Sequence, residues 1–328
     1  MQDPRLSLKV RLRAAAIELL RDAAKTSWDL FKVMVPILIA TKILQELDVI
    51  KYFGQALGPV MGLVGLPGEM GLVWATAMLV NLYGGMAVYV SLAPGLAAPM
   101  TAAQMTVLTT MMLLAHGLPI ECRICQKAGA RFRAMLALRV LGALLLGWLL
   151  HVAYRGFGAL GGPAVTVWRQ KAGDSWAVAQ ARNLLWIFLI ILVLLSVLRV
   201  LKKLGVTDQL TRALEPGLRA LGMSRAAAPI TVIGMTMGLS YGGGLIIREA
   251  RSGRLGARDV FFSLALMSLC HSLIEDTIIM MALGGHWSGV LVARAVFALI
   301  AVFVLVRLLA GVGDARFSRL FCRPGGPG

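Results

Sequence analysis

The chain has 328 residues, 58% of them hydrophobic and 15% charged, with a mean hydropathy of +0.78. That is too apolar for a soluble enzyme of this length, so much of the surface must face lipid. The formal charge of +17 would suit a nucleic-acid partner, but the lysines and arginines sit in short stretches between apolar blocks. That pattern orients a membrane protein, and no nucleic-acid partner is expected.

Taken in chain order, residues 1–27 form a basic amphipathic segment. From Arg5 to Lys25 it has no small-residue cleavage site, so it reads as a helix lying on the anionic cytoplasmic surface rather than as a secretory signal. Residues 28–160 and 184–311 carry the apolar material, with 161–183 a linker rich in Gly and polar residues and 312–328 a basic tail. The apolar blocks have the length a helix needs to cross the bilayer, roughly 18 to 23 residues. Clear examples are Met135 to Val152, Leu184 to Leu201, Val260 to Leu283 and Val290 to Ala310. Four cysteines do not make a disulfide framework. Cys122 and Cys125 form a lone CxxC without a second pair, read as reduced thiols at a helix end.

The chain repeats itself. One register offset carries Trp28 onto Trp186 and Tyr83-Gly84-Gly85 onto Tyr241-Gly242-Gly243. Between them, Leu57-Gly58-Pro59 with Gly65-Leu66 matches Leu214-Glu215-Pro216 with Gly222-Met223. Further on, His116-Gly-Leu-Pro-Ile-Glu121 matches His271-Ser-Leu-Ile-Glu-Asp276, and Arg139 matches Arg294. Internal duplication of this kind is the ground plan of many secondary transporters.

The basic residues discriminate between two topologies. If every apolar block crosses, there are about eight spans, and the basic stretches Arg123 to Arg133 and Arg199 to Arg225 fall outside. If Met70 to Leu92 and Ala226 to Ile247 each enter and leave on the same side, both stretches move inside. Only Lys51, Arg155, Arg169, Lys171 and Arg182 then remain in outer loops, in better accord with the positive-inside rule. Each half then crosses an odd number of times, about three. The second half is upside down relative to the first. The predicted fold is an all-α polytopic membrane protein of two inverted repeats, each about three transmembrane helices plus a re-entrant hairpin.

The hairpin tips are site candidates. Asn81-Leu-Tyr-Gly-Gly85 and Gly238-Leu-Ser-Tyr-Gly-Gly-Gly244 place glycine where a tip must turn sharply, and such backbone survives at membrane depth only when buried in protein or lining a wet cavity. Asn81, Tyr83, Gly84 and Gly85, with Ser240, Tyr241, Gly242 and Gly243, are therefore candidate binding residues. The competing reading is that the glycines only permit close helix packing. His271, Glu275 and Asp276 lie inside an apolar run, where ionisable groups are expensive and normally face a cavity or a partner. On one helix His271 and Glu275 would share a face, and Glu275 is taken as the deepest acid of the group. In the first half His116 and Glu121 repeat the arrangement, with Gly117 and Pro119 interrupting the helix. These groups would carry a coupled H+ or Na+, or, with Cys270, bind a soft divalent metal through His271, Glu275 and Asp276. Arg139 and Arg294 would either pair with an acid or snorkel to the interface.

The duplicated Tyr-Gly-Gly segments, with His-Ser-Leu-Ile-Glu-Asp at 271–276 and His-Gly-Leu-Pro-Ile-Glu at 116–121, resemble the nucleoside recognition, or Gate, domain proteins. The resemblance spans residues 28–283. That family includes the pore-forming regions of concentrative nucleoside transporters and of ferrous iron transporter B, and spore maturation proteins A and B. It implies a membrane carrier with inverted repeats and re-entrant hairpins. Ser-Leu-Ile-Glu-Asp at 272–276 is similar to a stretch of the iron transporter, but the sequence has no GxxxxGK[ST] phosphate loop, which argues against GTP-driven transport by this polypeptide.

The expected function is a secondary carrier for a small solute, nucleoside-like substrates included, working by alternating access in a bacterial inner membrane with the N-terminus cytoplasmic. The alternatives are a divalent metal permease and a non-transporting membrane partner. No catalytic constellation stands out, so no enzyme and no resident cofactor are expected. The partners are the lipid bilayer and a small molecule or ion, and a homo-oligomer is compatible with so small a carrier.

Overall fold

The computed structural model describes residues 8–166, 175–205, 223–224, 227–251 and 255–323, together with Gln209, Arg212 and Leu218. Every regular element among them is a helix. Four are long and apolar enough to cross a membrane: Ala102–Ala128 counted through a break, Phe132–Gly156, Trp176–Leu201 and Ser288–Leu309. In the most apolar 18-residue stretch of the first, 83% is buried, and in that of the third 18%, so the broken helix is the centre of the molecule and the third a peripheral face.

The chain opens on α1 (Leu8–Glu46), 39 residues without a break. It runs straight through the boundary expected at residue 27, because no Gly or Pro precedes Pro36 within it. Its buried face, Ala23, Ser27, Met34, Leu38 and Thr41, recurs at helical spacing. That face packs against α4 (Leu82–Leu92) and α8 (Trp176–Lys203), and Arg199 of α8 pairs with Asp22 of α1. A short α2 (Ile50–Leu63) leads to α3 (Met70–Leu79).

Helices α3 and α4 fold back on each other. A Cβ added to Gly85 would stand 2.8 Å from the Cβ of Ala77, although one unbroken helix would hold these residues about 12 Å apart. The reversal is made by Val80 and by Asn81, whose extended backbone (φ −171°) and side chain cap α4 by accepting from the Gly84 amide at 2.8 Å. Gly84 and Gly85 lie in the first turn of α4, so here the expectation that glycine makes the tip is corrected. Gly85 serves close approach, since a Cβ there would not fit against Ala77 of the facing arm, whereas one on Gly84 would meet first the Ile37 side chain of α1 at 3.0 Å. In the second half, α9 (Ala227–Met237) and α10 (Leu239–Arg251) likewise pack together. Their junction is Gly238 at φ +98°, a conformation that favours glycine.

The next pair of elements is interrupted in the same way in both halves. In the first, α5 (Ala102–Leu114) ends at Ala115 and α6 (Leu118–Ala128) starts after Gly117 at φ +54°. In the second, α11 (Ala257–Leu269) ends at Cys270 and α12 (Glu275–Ala282) follows Ser272 at φ +47°. Val260 to Leu283 is therefore not one spanning helix. The carbonyls freed by each break find donors inside the protein, as a low-dielectric surround requires. The Arg139 Nε donates to the Leu114 carbonyl at 2.8 Å. Arg294 Nε donates to that of Leu269 at 3.4 Å, and its Nη2 to that of His271 at 2.5 Å. Both arginines are fully buried, which overturns snorkelling. Each elbow is also tied to its own hairpin: Gly117 N donates to Ala77 O at 2.9 Å, and Leu273 N to Met235 O at 3.1 Å.

A long helix closes each half: α7 (Phe132–Gly156) in the first, and a π-helical segment (Ser288–Ala293) running into α13 (Arg294–Leu309) in the second. The last described helix is α14 (Asp314–Phe321). At one end of the molecule Ala130 pairs with Cys322, and the Ser224 amide donates to Asp259 at 3.0 Å. At the other, Thr101 pairs with Pro163, and Gly284 lies against Ala164 and Thr166.

Candidate functional site

The two hairpin junctions and the two helix breaks meet around one cavity of about 280 Å³. Asn81, Tyr83, His116 and Glu121 line it from the first half, and Gly238, His271, Ser272 and Asp276 from the second. Residues at matching positions of the duplicated sequence thus face each other. The imidazoles of His116 and His271 lie 5.1 Å apart, centre to centre.

Glu121 holds this arrangement together. Its Oε1 is 3.2 Å from His116 Nε2 and 3.5 Å from His271 Nε2, while its Oε2 accepts from the buried Arg139 guanidinium. The other ring nitrogen of each histidine faces a carbonyl one turn back: His116 Nδ1 to Met112 O at 3.0 Å, and His271 Nδ1 to Met267 O at 2.9 Å. A carbonyl oxygen cannot donate, so each Nδ1 must carry the hydrogen. In a neutral ring Nε2 is then an acceptor, and it faces the acceptor oxygens of a carboxylate. Lone pair against lone pair repels. The geometry is satisfied when one positive charge, a proton or a cation, sits between the carboxylate and the rings. One nitrogen from each histidine and one Glu121 oxygen lie within 4.8 Å of one another, close enough to share such a charge.

The second half repeats the parts without repeating the pairing. Asp276 corresponds to Glu121 and Arg294 to Arg139, but Arg294 spends its bonds on the Leu269 and His271 carbonyls. The Oδ2 of buried Asp276 has no hydrogen-bond partner among the described residues.

The expected site residues divide accordingly. Asn81, Tyr83, His116, Glu121, His271 and Asp276 line the cavity; Gly84 and Gly85 are buried behind it in α4. Gly243 is buried in α10 against Ile124 of α6, where a Cβ would come within 2.5 Å. Ser240, Tyr241 and Gly242 belong to the helical backbone of α10, and their side chains lie outside the described residues. His271 and Glu275 do not share a helical face, because the chain turns left-handed at Ser272 and α12 begins only at Glu275. His271 turns instead to Glu121 of the other half. Glu275 is half-buried and Asp276 buried, so Asp276 is the deeper acid. Cys270 is fully buried at the end of α11 and, like Glu275, does not line the cavity. All four cysteines are free thiols, and the Cys125 Sγ sits 3.5 Å from the Ser268 hydroxyl. Gly238 and Ser272 line the cavity though neither was singled out as a ligand. Their signal was positional: Gly238 heads the second glycine run, and Ser272 aligns with Gly117.

Comparison with known proteins agrees with this frame. Residues 27–125 match the family model described as Gate, nucleoside recognition, so the resemblance read from the sequence is shown over those residues. A relative in Bacillus subtilis (strain 168), the uncharacterized membrane protein YvoD, is 28% identical over 267 residues, covering 79% of this chain and 84% of that protein. No solved structure matches. With its apolar helices, the chain is a multi-pass membrane protein whose residues 27–125 are similar to the Gate model.

Proposed function

We propose that the protein is a cation-coupled secondary carrier for a small polar solute, nucleosides being the first class to test, with the proton as coupling ion. The observation that carries this reading is the Glu121 carboxylate facing the Nε2 atoms of His116 and His271 while both Nδ1 atoms are committed to carbonyls. Such a site binds one positive charge and repels itself without it. Asn81, Tyr83 and Asp276, whose Oδ2 has no partner among the described residues, supply a polar wall for the solute beside it. Loading the charge would change how the two halves attract each other, because His271 belongs to one and Glu121 to the other. That is the ingredient alternating access needs.

The inverted arrangement is supported by which loops touch. In the six-span reading, Ala130 and Cys322 share the inner side, as do Ser224 and Asp259, while Gly284 and Ala164 share the outer side. Eight spans would separate each pair across the membrane, yet all three are in contact. Cysteines placed at exposed Ala97 and Arg316 are expected to label from opposite faces; labelling of both from one face would overturn the six-span arrangement.

A divalent metal is the second reading, favoured by the clustered donors of His116, Glu121 and His271. The Arg139 guanidinium on the same carboxylate weighs more against it than against a proton, since a divalent ion would bring two further positive charges beside that cation with no other anionic donor in the cluster. In proteoliposomes with an imposed acid gradient, wild type should accumulate labelled adenosine or uridine, whereas His271→Gln should lose accumulation and keep counterflow exchange. Uptake indifferent to both the gradient and the substitution would overturn the proton reading. Tight Mn²⁺ binding that disappears in His271→Gln would replace it with the metal one.

A further inference from the structure

Away from the cavity, the turn between α6 and α7 forms a second pocket, of about 660 Å³, lined by Arg123, Arg131, Arg133 and Arg323 with Phe132 and Gln126. A neighbouring recess shares Arg123 and Arg323 and adds Lys127. Among the described residues, no carboxylate lines either one. The cations are gathered by backbone, not by counter-charges. Ala130 pairs with Cys322, Arg131 N donates to Phe321 O at 2.7 Å, and Arg323 N donates to Gly129 O at 2.8 Å. The segment around Cys322 is thereby bound to the turn, and the Arg131 Nε donates to the Cys322 carbonyl at 3.1 Å. Bringing like charges together in this way is unfavourable unless something anionic balances them.

We propose that this pocket binds the phosphate of an anionic phospholipid headgroup. Three observations favour lipid. Phe132 lies in the pocket wall and is also the first residue of α7, so the guanidinium groups stand at the level where an apolar helix enters hydrocarbon. Ile120, next to the pocket residue Pro119 and one turn before Arg123, is 66% exposed, giving an acyl chain an apolar surface beside the charge. Finally, the cluster is made mainly of arginine, whose planar fork suits phosphate oxygens. The positive-inside pattern assigns this turn to the cytoplasmic leaflet, where anionic lipid is concentrated. The inference does not depend on transport through the cavity.

The test uses the full chain in nanodiscs of phosphatidylcholine with or without phosphatidylglycerol. Retained lipid is counted by native mass spectrometry and stability is followed by thermal melting. Wild type should retain phosphatidylglycerol in excess of its share and melt higher in its presence. Arg123→Gln and Arg133→Gln should each lower that excess about fivefold, the effect of one basic side chain at an anionic surface. Arg316→Gln, a basic residue outside the pocket, should leave it unchanged. Equal retention in all variants, or an equal loss with Arg316→Gln, would reduce the effect to general surface charge and overturn the site. Inorganic phosphate added to pure phosphatidylcholine discs should give no stabilisation; if it reproduced the full effect, the pocket would be a free-anion site and the lipid assignment would fail.

Discussion

The two halves build the same frame at the break and complete it differently. In the first, Arg139 satisfies a freed carbonyl and also binds Glu121, so the acid is compensated. In the second, Arg294 is drawn to two carbonyls, and Asp276 keeps an oxygen without a partner among the described residues. The helix that supplies each arginine differs too: α7 is α-helical throughout, whereas a π-helical segment ends immediately before Arg294. Such segments recur at functional sites because they change which way the following side chains point. Duplication thus supplies a matched scaffold, and divergence leaves one half with a fixed ion pair and the other with an acid unpaired among the described residues. On the reading proposed above, the first half holds the coupling charge and the second meets the solute.

This contrast can be broken by experiment. The largest effect should come from Arg139→Met, which leaves the half-buried Glu121 carboxylate without its guanidinium and should cost up to about 3–5 kcal/mol of stability. Adding Glu121→Gln should recover most of the loss, as read by thermal melting in detergent. Arg294→Met should cost less, about 1–3 kcal/mol, because it leaves carbonyls rather than an ion without a partner. If the two arginine variants melted alike, the asymmetry between the halves would be gone.

Gly85→Val should come next, since its Cβ would meet Ala77 and Met112 at 2.8 Å and overpacking of this kind costs about 1–3 kcal/mol. Gly84→Val, with its nearest neighbour at 3.0 Å on the flexible end of Ile37, should cost less. Asp276→Asn should leave melting unchanged or slightly raised while solute uptake falls; a large destabilisation would show that Asp276 has a partner after all. The smallest effect is expected from Glu275→Gln. That residue is half-buried and does not line the cavity, so uptake and stability should both stay close to wild type.

Much of this was legible before any coordinates. Repeated spacing exposed the duplication, because two halves under the same packing constraints keep the same residues at matching positions: His116 with His271, Glu121 with Asp276, Arg139 with Arg294. Hydropathy gave the membrane class and the apolar blocks. Gly117 with Pro119 announced the first break. The second break, at Ser272, carried no such mark, since serine seldom adopts a left-handed backbone unaided. It is imposed there by the tie of Leu273 to Met235 and the bond from Arg294.

The sequence by itself determined which residues must be hidden from lipid, for burial of ionisable groups is dictated by side-chain chemistry and the surrounding apolar run. Which of those residues meet was decided only by the tertiary structure. Glu121 and His271 are far apart in the chain and become neighbours because two broken helices from different halves abut, and no periodicity within either half encodes that contact. Likewise Arg139 and Glu121 lie on separate helices, so their pairing depends on how α6 packs against α7. The folded chain selected, from several acids and arginines of equal standing in the sequence, one pair to fix and one carboxylate that has no partner among the described residues.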